Sequence, residues 1–325
     1  MDLTVRHETW PLAKVFRISR GARTAAEVVY VELRDGPHRG HAECVPYPHY
    51  GESIASVCDQ IEELRHDLTA GLDRAALQTK LPAGAARNAV DCALWDLDAK
   101  RARTRVWQLA GVPEPQPAVC SFTISLGTLE EMESAARESA HFPLLKIKLG
   151  GDDDVARVEA VRRGAPRSRL IVDANEAWSP EQLPQQLPVL AELGVALVEQ
   201  PLLAGHDAAL ADVPHAVPVC ADESCHTADQ IPDLAARYDF INIKIDKTGG
   251  LTEALRCVEA AREHRLGVMV GTMVGTSLAM APATLVMHAA EFVDLDGPLW
   301  MAKDRPHALT FEHGKIHPPV PALWG

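Results

Sequence analysis

The chain has 325 residues, is 47% hydrophobic and 24% charged, and carries a formal net charge of −13. That apolar content supports one large core or two modest ones and excludes global disorder. A surface this acidic repels phosphate backbones and anionic lipid, so nucleic acid and membrane surfaces are not expected as partners.

The N-terminal MDLTVRHETW lacks the apolar stretch of a signal peptide. The seven cysteines (Cys44, Cys58, Cys92, Cys120, Cys220, Cys225 and Cys257) show no CxxC spacing. Zinc and thioredoxin-type sites are therefore not expected, and reduced thiols in the cytoplasm are. Residues 26–34 (AEVVYVELR) alternate as an antiparallel strand does, with 38–43 as partner. Residues 85–101 read as a helix whose Ala85, Ala89 and Ala93 suit close packing. Residues 1–115 are accordingly read as an α+β domain.

A different rhythm begins near residue 118. Apolar runs at 118–124, 144–149, 170–174, 196–200, 218–222, 240–245, 267–272 and 292–296 recur at roughly 22–26-residue intervals, the length of a strand–loop–helix–loop unit. Residues 154–163 and 251–265 have helical periodicity between them. Strands apolar on both faces belong to parallel sheets covered by helices. Eight runs, the last without a full helix after it, predict a (β/α)7β modified TIM barrel over residues 116–296. Residues 267–290 carry no Asp, Glu, Lys or Arg, and they read as a buried strand followed by a buried helix. The Pro- and His-containing segment 297–325 is expected to return to the N-terminal domain.

In such a barrel the C-terminal strand ends form the active-site mouth. Here they carry Lys146 and Lys148, Asp173 and Asn175, Glu199, Asp222 and Glu223, Lys244, and Asp294 and Asp296. Any one could be a solvated strand end, but six strands aiming ionisable groups at one rim form a constellation. Three converging carboxylates, Asp173, Glu199 and Asp222, need a cation to stay ionised. An oxygen-only donor set points to a hard divalent ion, Mg²⁺ before Mn²⁺. Lys148 and Lys244, on opposite strands, suit removal of a proton from one face of a carbon and its return to the other. Lysine works as a base near neutral pH where burial or a neighbouring cation disfavours its charge. Asp294 and Asp296 alternate on a strand, and such a pair suits a substrate ammonium.

KIK at 146–148, DAN at 173–175, EQP at 199–201, ADES at 221–224 and NIKIDKTGG at 242–250 resemble the enolase superfamily. The KxK…K pattern resembles its muconate lactonizing subgroup, and VDLDGP at 293–298 resembles the DxD motif of the dipeptide epimerases. FRISRGART (16–24), ECVPYPHYGES (43–53) and LPAGAARNAVDCALWDLDA (81–99) extend the similarity over nearly the whole chain. The resemblance implies an α+β capping domain over the barrel and one Mg²⁺ on Asp173, Glu199 and Asp222. It implies a 1,1-proton transfer through an enediolate, with Lys148 serving the L stereocentre and Lys244 the D one. Substrate carboxylate would meet the metal and Lys146, and substrate ammonium Asp294 and Asp296. Asn175 and Glu223 would orient ligands and lysines. Arg20 and Arg23 in the first capping loop would meet a glutamate side chain. His49 and Tyr50 would belong to a lid, and residues 273–277 would form a wall with polar contacts. The implied reaction interconverts L-Ala-L-Glu and L-Ala-D-Glu in cytoplasmic murein peptide metabolism, in a homo-oligomer.

Epimerisation of another dipeptide, or a muconate cycloisomerase or o-succinylbenzoate synthase-type lyase reaction, would use the same lysines and metal. Lyase substrates and N-acylamino acids lack the ammonium and would leave Asp294 and Asp296 without a purpose. A non-catalytic barrel would require every one of the polar strand ends to be a relic.

Overall fold

The computed structural model describes all 325 residues. Strands β1 (Asp2–Ile18), β2 (Gly21–Asp35) and β3 (His38–Cys44) form an antiparallel sheet in that order. β2 contains the alternating stretch at 26–34 and pairs with β3 through Arg34↔Arg39. β1 gave no sequence signal: it is an edge strand in which only Leu3 is buried and every other residue is exposed or half-buried. Ile18 pairs with Gly21, so Ser19 and Arg20 form the tip of the β1–β2 hairpin. The helix Ala85–Ala102 lies against β3. Ala85, Ala89 and Ala93 are fully buried. A Cβ at position 40 would overlap the Ala93 carbonyl, so Gly40 permits this close approach.

The barrel strands follow. β4 (Ala118–Val119) and β5 (Phe122–Ile124) precede β6 (Leu144–Lys148), β7 (Arg169–Asp173), β8 (Val195–Glu199) and β9 (Val219–Ala221). β10 (Phe240–Lys244), β11 (Gly267–Gly271) and β12 (Phe292–Val293) complete them. β5 to β12 form one parallel eight-stranded sheet in sequence order. A bridge between Cys120 and Val293 and the Ser121 N–H donating to Val293 O at 2.8 Å join its two ends. Two sequence expectations are corrected here. The run 118–124 is two strands, because β4 leaves the barrel to pair with β14 (Lys315–Ile316), which also pairs with β13 (Phe311–Glu312). The charge-free stretch after β11 is no continuous helix but the short helix Ser277–Met280 and 3₁₀ turns at Pro282–Leu285 and Met287–Ala289. Proline at 282 interrupts the backbone hydrogen-bond ladder there.

Alternation along the strands sets the height of each side chain inside the barrel. Leu144, Ile171, Leu197, Cys220, Met269 and Phe292 form a buried apolar layer. The next inward positions, one pleat nearer the strand ends, are Lys146, Asp173, Glu199, Asp222 and Asp294. The helices Leu129–Glu138, Asp154–Gly164, Leu183–Glu192 and Leu251–Glu263 lie between successive strands. The C-terminal residues end on the N-terminal sheet and helix: Trp324 Nε1 donates to Cys92 O at 3.1 Å, and Gly325 N to Asp96 Oδ1 at 2.9 Å. No helix is long and apolar enough to cross a membrane.

Candidate active site

Asp173 and Glu199 end β7 and β8, and Asp222 follows β9 directly. One oxygen from each lies within 4.8 Å of the others, and all three side chains are buried. Neighbouring groups hold the carboxylates of Asp173 and Glu199 and the backbone at Asp222. The Asn175 N–H donates to Asp173 Oδ1 at 2.9 Å. Asn242 Nδ2 donates to Glu199 Oε1 at 2.7 Å. Gln200 Oε1 accepts from Asp222 N at 2.8 Å and Ser224 N at 3.1 Å. A Cβ at position 271 would fall 2.6 Å from Asn242 Oδ1, so Gly271 leaves room for that amide.

Four ammonium groups surround this cluster. Lys148 Nζ lies 2.5 Å from Asp173 Oδ2, and Lys244 Nζ 2.6 Å from Asp222 Oδ2. Lys146 Nζ lies 2.5 Å from Glu199 and 2.7 Å from Asp294. Lys247 Nζ reaches Asp222 Oδ1 at 2.6 Å and Asn242 O at 3.1 Å. Burial opposes charge on Lys146 and Lys244. Asp294 and Glu199 nonetheless hold the Lys146 ammonium above the usual lysine range, and Asp222 and Glu199 do so for Lys244. Burial likewise opposes ionisation of Asp222, but Lys244 and Lys247 outweigh it and hold that carboxyl well below its usual value. For Asp173, Lys148 and Lys146 overcome burial and bring it to about 2. Glu199 goes the other way: burial, and then the charge of Asp173, push it up to about 7.

The donor set fits a hard divalent cation. It is all oxygen, and Glu199 Oε2, though buried and beside Lys146, accepts no hydrogen bond of good geometry. Burial is the larger part of the push on Glu199, and the rest, the charge of Asp173, is a like-charge conflict that such an ion would relieve.

Above the cluster opens a cavity of about 200 Å³ whose lining combines both halves of the fold. Lys148, Asn175, Asp222, Glu223 and Lys244 come from the barrel, and Phe16, Ile18, Arg20, Arg23, Tyr47 and Tyr50 from the N-terminal sheet and the segment after it. Both lysines therefore reach one cavity from the second and sixth barrel strands. Arg20 donates to Glu223 Oε1 at 2.7 Å, to Glu176 Oε2 at 3.2 Å and to Asn175 O at 3.3 Å. Arg23 lies over the Tyr47 ring, 5.3 Å from its centroid. His49 pairs with Glu176 at 2.9 Å. Burial, with the charges of Asp222 and Asp173, raises the Glu223 carboxyl to about 8.

Three expectations need revision. The wall after β11 is Thr272, Met273 and Val274. Thr276 and Ser277 turn away from it: Thr276 Oγ1 donates to Glu43 Oε2 at 2.6 Å, and Ser277 Oγ to Asp304 Oδ2 at 2.5 Å. Lys146, only 1% exposed, lies beneath the cavity and not on its wall. Asp294 and Asp296 lie just past the end of β12, and both already have partners in the protein. Asp294 accepts from Lys146 and, at 2.6 Å, from Ser121 Oγ. Asp296 Oδ2 accepts from Thr123 N at 2.8 Å and Trp300 Nε1 at 3.1 Å. A substrate without an ammonium therefore does not strand them, and the argument against such substrates loses its force.

Asn242 was not singled out from sequence. Asn242 could have been, since it lies two residues before Lys244 on the same strand face. Lys247, three residues beyond Lys244, is placed less directly from sequence, because it enters through the single helical turn Ile245–Thr248 after β10.

Residues 1–111 match the mandelate racemase/muconate lactonizing enzyme N-terminal domain, and residues 128–322 the enolase C-terminal domain-like family. The L-Ala-D/L-Glu epimerase of Escherichia coli K12 is 47% identical, across 96% of this chain and 98% of that one. An N-acetyl-D-glutamate racemase of a Pseudoalteromonas species is 43% identical, across 92% and 95%. An enolase family member from Agrobacterium tumefaciens, solved with sodium and L-Ala-L-Glu, superposes with a TM-score of 0.97 at 50% identity, covering 99% of both chains. A dipeptide epimerase from Methylococcus capsulatus, complexed with Mg and L-Arg-D-Lys, gives 0.91 at 29% identity over 99% and 98%. The chain belongs to the mandelate racemase/muconate lactonizing enzyme family of the enolase superfamily.

Proposed function

We propose that this member of the enolase superfamily is an isomerase, a Mg²⁺-dependent dipeptide epimerase that interconverts L-Ala-L-Glu and L-Ala-D-Glu by moving one proton at the glutamyl α-carbon. The observation that carries this reading is that Lys148 and Lys244 reach one cavity from opposite barrel strands, over three buried carboxylates. Full-length similarity to an epimerase of this specificity supports it.

Asp173, Glu199 and Asp222 would hold the cation, with Mn²⁺ as a substitute. When bound it supplies positive charge that offsets the three carboxylates and stabilises the negative charge developing on the substrate carboxylate. Lys148 and Lys244 exchange roles: the Nζ of one accepts the α-proton, and the ammonium of the other returns a proton to the opposite face. The α-carbon inverts with no change of oxidation state. Lys146, beneath the cavity, is assigned to the substrate carboxylate, and Lys247 holds Asp222 in place through Oδ1. Asn175 and Glu223 position the groups at the cavity floor. Arg20, with Arg23 beside it, meets the side-chain carboxylate of the glutamyl residue. Asp294 and Asp296 take the substrate ammonium. We propose further that the enzyme acts in the cytoplasm, in murein peptide metabolism, and as a homo-oligomer. Incubation with each pure diastereomer, followed by chromatographic separation, tests the reading. Approach to the same mixture from both sides is expected, and two unchanged samples would refute it.

A second reading, racemisation of N-acetylglutamate, is favoured by the internal partners of Asp294 and Asp296 and by the 43% identical relative. That substrate keeps the glutamate and its acyl carbonyl but lacks the ammonium. Comparing kcat/KM for the two substrates separates the readings.

A further inference from the structure

We infer that Trp300 sets the length of the substrate, closing the site behind Asp296 so that nothing can extend from the N-terminus of the dipeptide. The inference rests on the reading that Asp294 and Asp296 receive that N-terminus.

Trp300 ends the 3₁₀ turn Gly297–Trp300 that follows Asp296. Its Nε1–H donates to Asp296 Oδ2 at 3.1 Å, which fixes the indole against that carboxylate. The ring is stacked over Phe122, with centroids 5.7 Å apart and planes 2° from parallel. Phe122 in turn stacks on Phe142 at 4.7 Å. Phe16 also packs on the indole, with centroids 4.9 Å apart and planes 83° from parallel. Phe16 lines the active-site cavity. Trp300, Phe122 and Thr123 line a second hollow of about 370 Å³, beside Lys14 and Arg17 of β1. Phe16 and the indole therefore stand together between the two spaces, Phe16 facing the first and Trp300 the second, and the indole is only 7% exposed.

An acyl group added to the substrate nitrogen beside Asp296 would need the volume that the indole fills. Neither the ring stack nor the hydrogen bond to Asp296 lets it swing aside cheaply, since buried aromatic contacts of this kind hold a side chain in one rotamer. Removing the indole would empty the volume beside Asp296 and leave Phe16 alone between the cavity and the second hollow, where an additional residue could lie.

The test compares α-proton exchange of L-Ala-L-Glu with that of Gly-L-Ala-L-Glu in the wild type, Trp300→Ala and Trp300→Leu. The readout is the ratio of kcat/KM for tripeptide over dipeptide, which general damage to the enzyme leaves unmoved. A wild-type ratio below about 0.01, rising at least tenfold in either variant, is the expected result. A wild-type ratio near 1, or an unchanged ratio in the variants, would overturn the inference. Trp300→Leu keeps apolar packing against Phe16 should the alanine variant fail to fold. Failure of the wild type on the dipeptide itself would instead count against the epimerase reading.

Discussion

Arg20 Nη2 lies 2.7 Å from Glu223 Oε1, joining the tip of the β1–β2 hairpin to the loop after the fifth barrel strand across 203 residues of sequence. The guanidinium side chain is 27% exposed, while the carboxylate is almost wholly buried. Burial opposes charge on Arg20, yet Glu223 and Tyr47 raise its proton affinity, so it stays cationic throughout the working range. It is thus a cation in the cavity wall, paired with Glu223 and Glu176, and the proposed function assigns it to the side-chain carboxylate of the substrate.

Arg20→Met should therefore raise KM for L-Ala-L-Glu at least tenfold and leave KM for a dipeptide with an apolar C-terminal residue within about threefold. A tenfold loss corresponds to about 1.4 kcal/mol, within the range of one charge-assisted hydrogen bond. Steady-state kinetics on the two substrates check it. Equal losses on both would assign Arg20 a role in placing the hairpin and not in reading the side chain.

Lys148→Ala and Lys244→Ala should each suppress isotope exchange by about a thousandfold or more, but asymmetrically. The epimer that loses exchange most in one variant should be the one that retains most in the other. Lys148→Ala is expected to fall hardest on L-Ala-L-Glu. Initial rates of deuterium incorporation from each pure epimer would show this. Matching losses on both epimers would remove the two-base assignment.

The three-carboxylate cluster predicts a thermal signature. A ligand that binds only the folded state at about 100 times its Kd stabilises by about 2.7 kcal/mol, which is several degrees in Tm. Mg²⁺ should raise the Tm of the wild type, and EDTA should reverse the shift. Asp222→Asn and Glu199→Gln should abolish it. Differential scanning calorimetry with and without MgCl₂ measures all three, and an undiminished shift in Asp222→Asn would place the ion elsewhere.

Asp246 offers a test of stability in the wall between the two parts of the fold. Its Oδ1 accepts from Val45 N at 3.0 Å and Asn88 Nδ2 at 2.7 Å. Burial raises this carboxyl from 3.8 to about 7, which its two hydrogen bonds only partly offset. A folded-state value above the unfolded one means that the folded state binds more protons between these limits. Its contribution to stability is therefore complete below about pH 4 and falls as pH rises towards 7. Asp246→Asn keeps the acceptor oxygen and removes the titration. The difference in Tm, variant minus wild type, should become more positive by several degrees between pH 5 and pH 8. A constant difference would contradict the buried charge.

The barrel was legible because strands buried on both faces read as continuous apolar runs, and because Lys146, Asp173, Glu199 and Asp222 break those runs where an inward face meets the mouth. Seven of the eight strand positions needed no tertiary information. The run at 118–124 did, because only the pairing of β4 with Ile316 pulls its first half out of the barrel. β1 stayed hidden for a different reason: it is an edge strand whose exposed polar residues blur any period of two. In the site, the carboxylates and both cavity lysines were legible. The partners of Asp294 and Asp296 were not, since Lys146, Ser121, Thr123 and Trp300 reach them from the first and second strands and from the turn beyond.

The most direct measurement is proton NMR of L-Ala-L-Glu incubated with the enzyme and Mg²⁺ in D₂O. Loss of the glutamyl α-proton signal, with resonances of L-Ala-D-Glu growing in and no other bond altered, is the predicted result. An α-proton signal that persists while calorimetry shows Mg²⁺ bound would contradict the account.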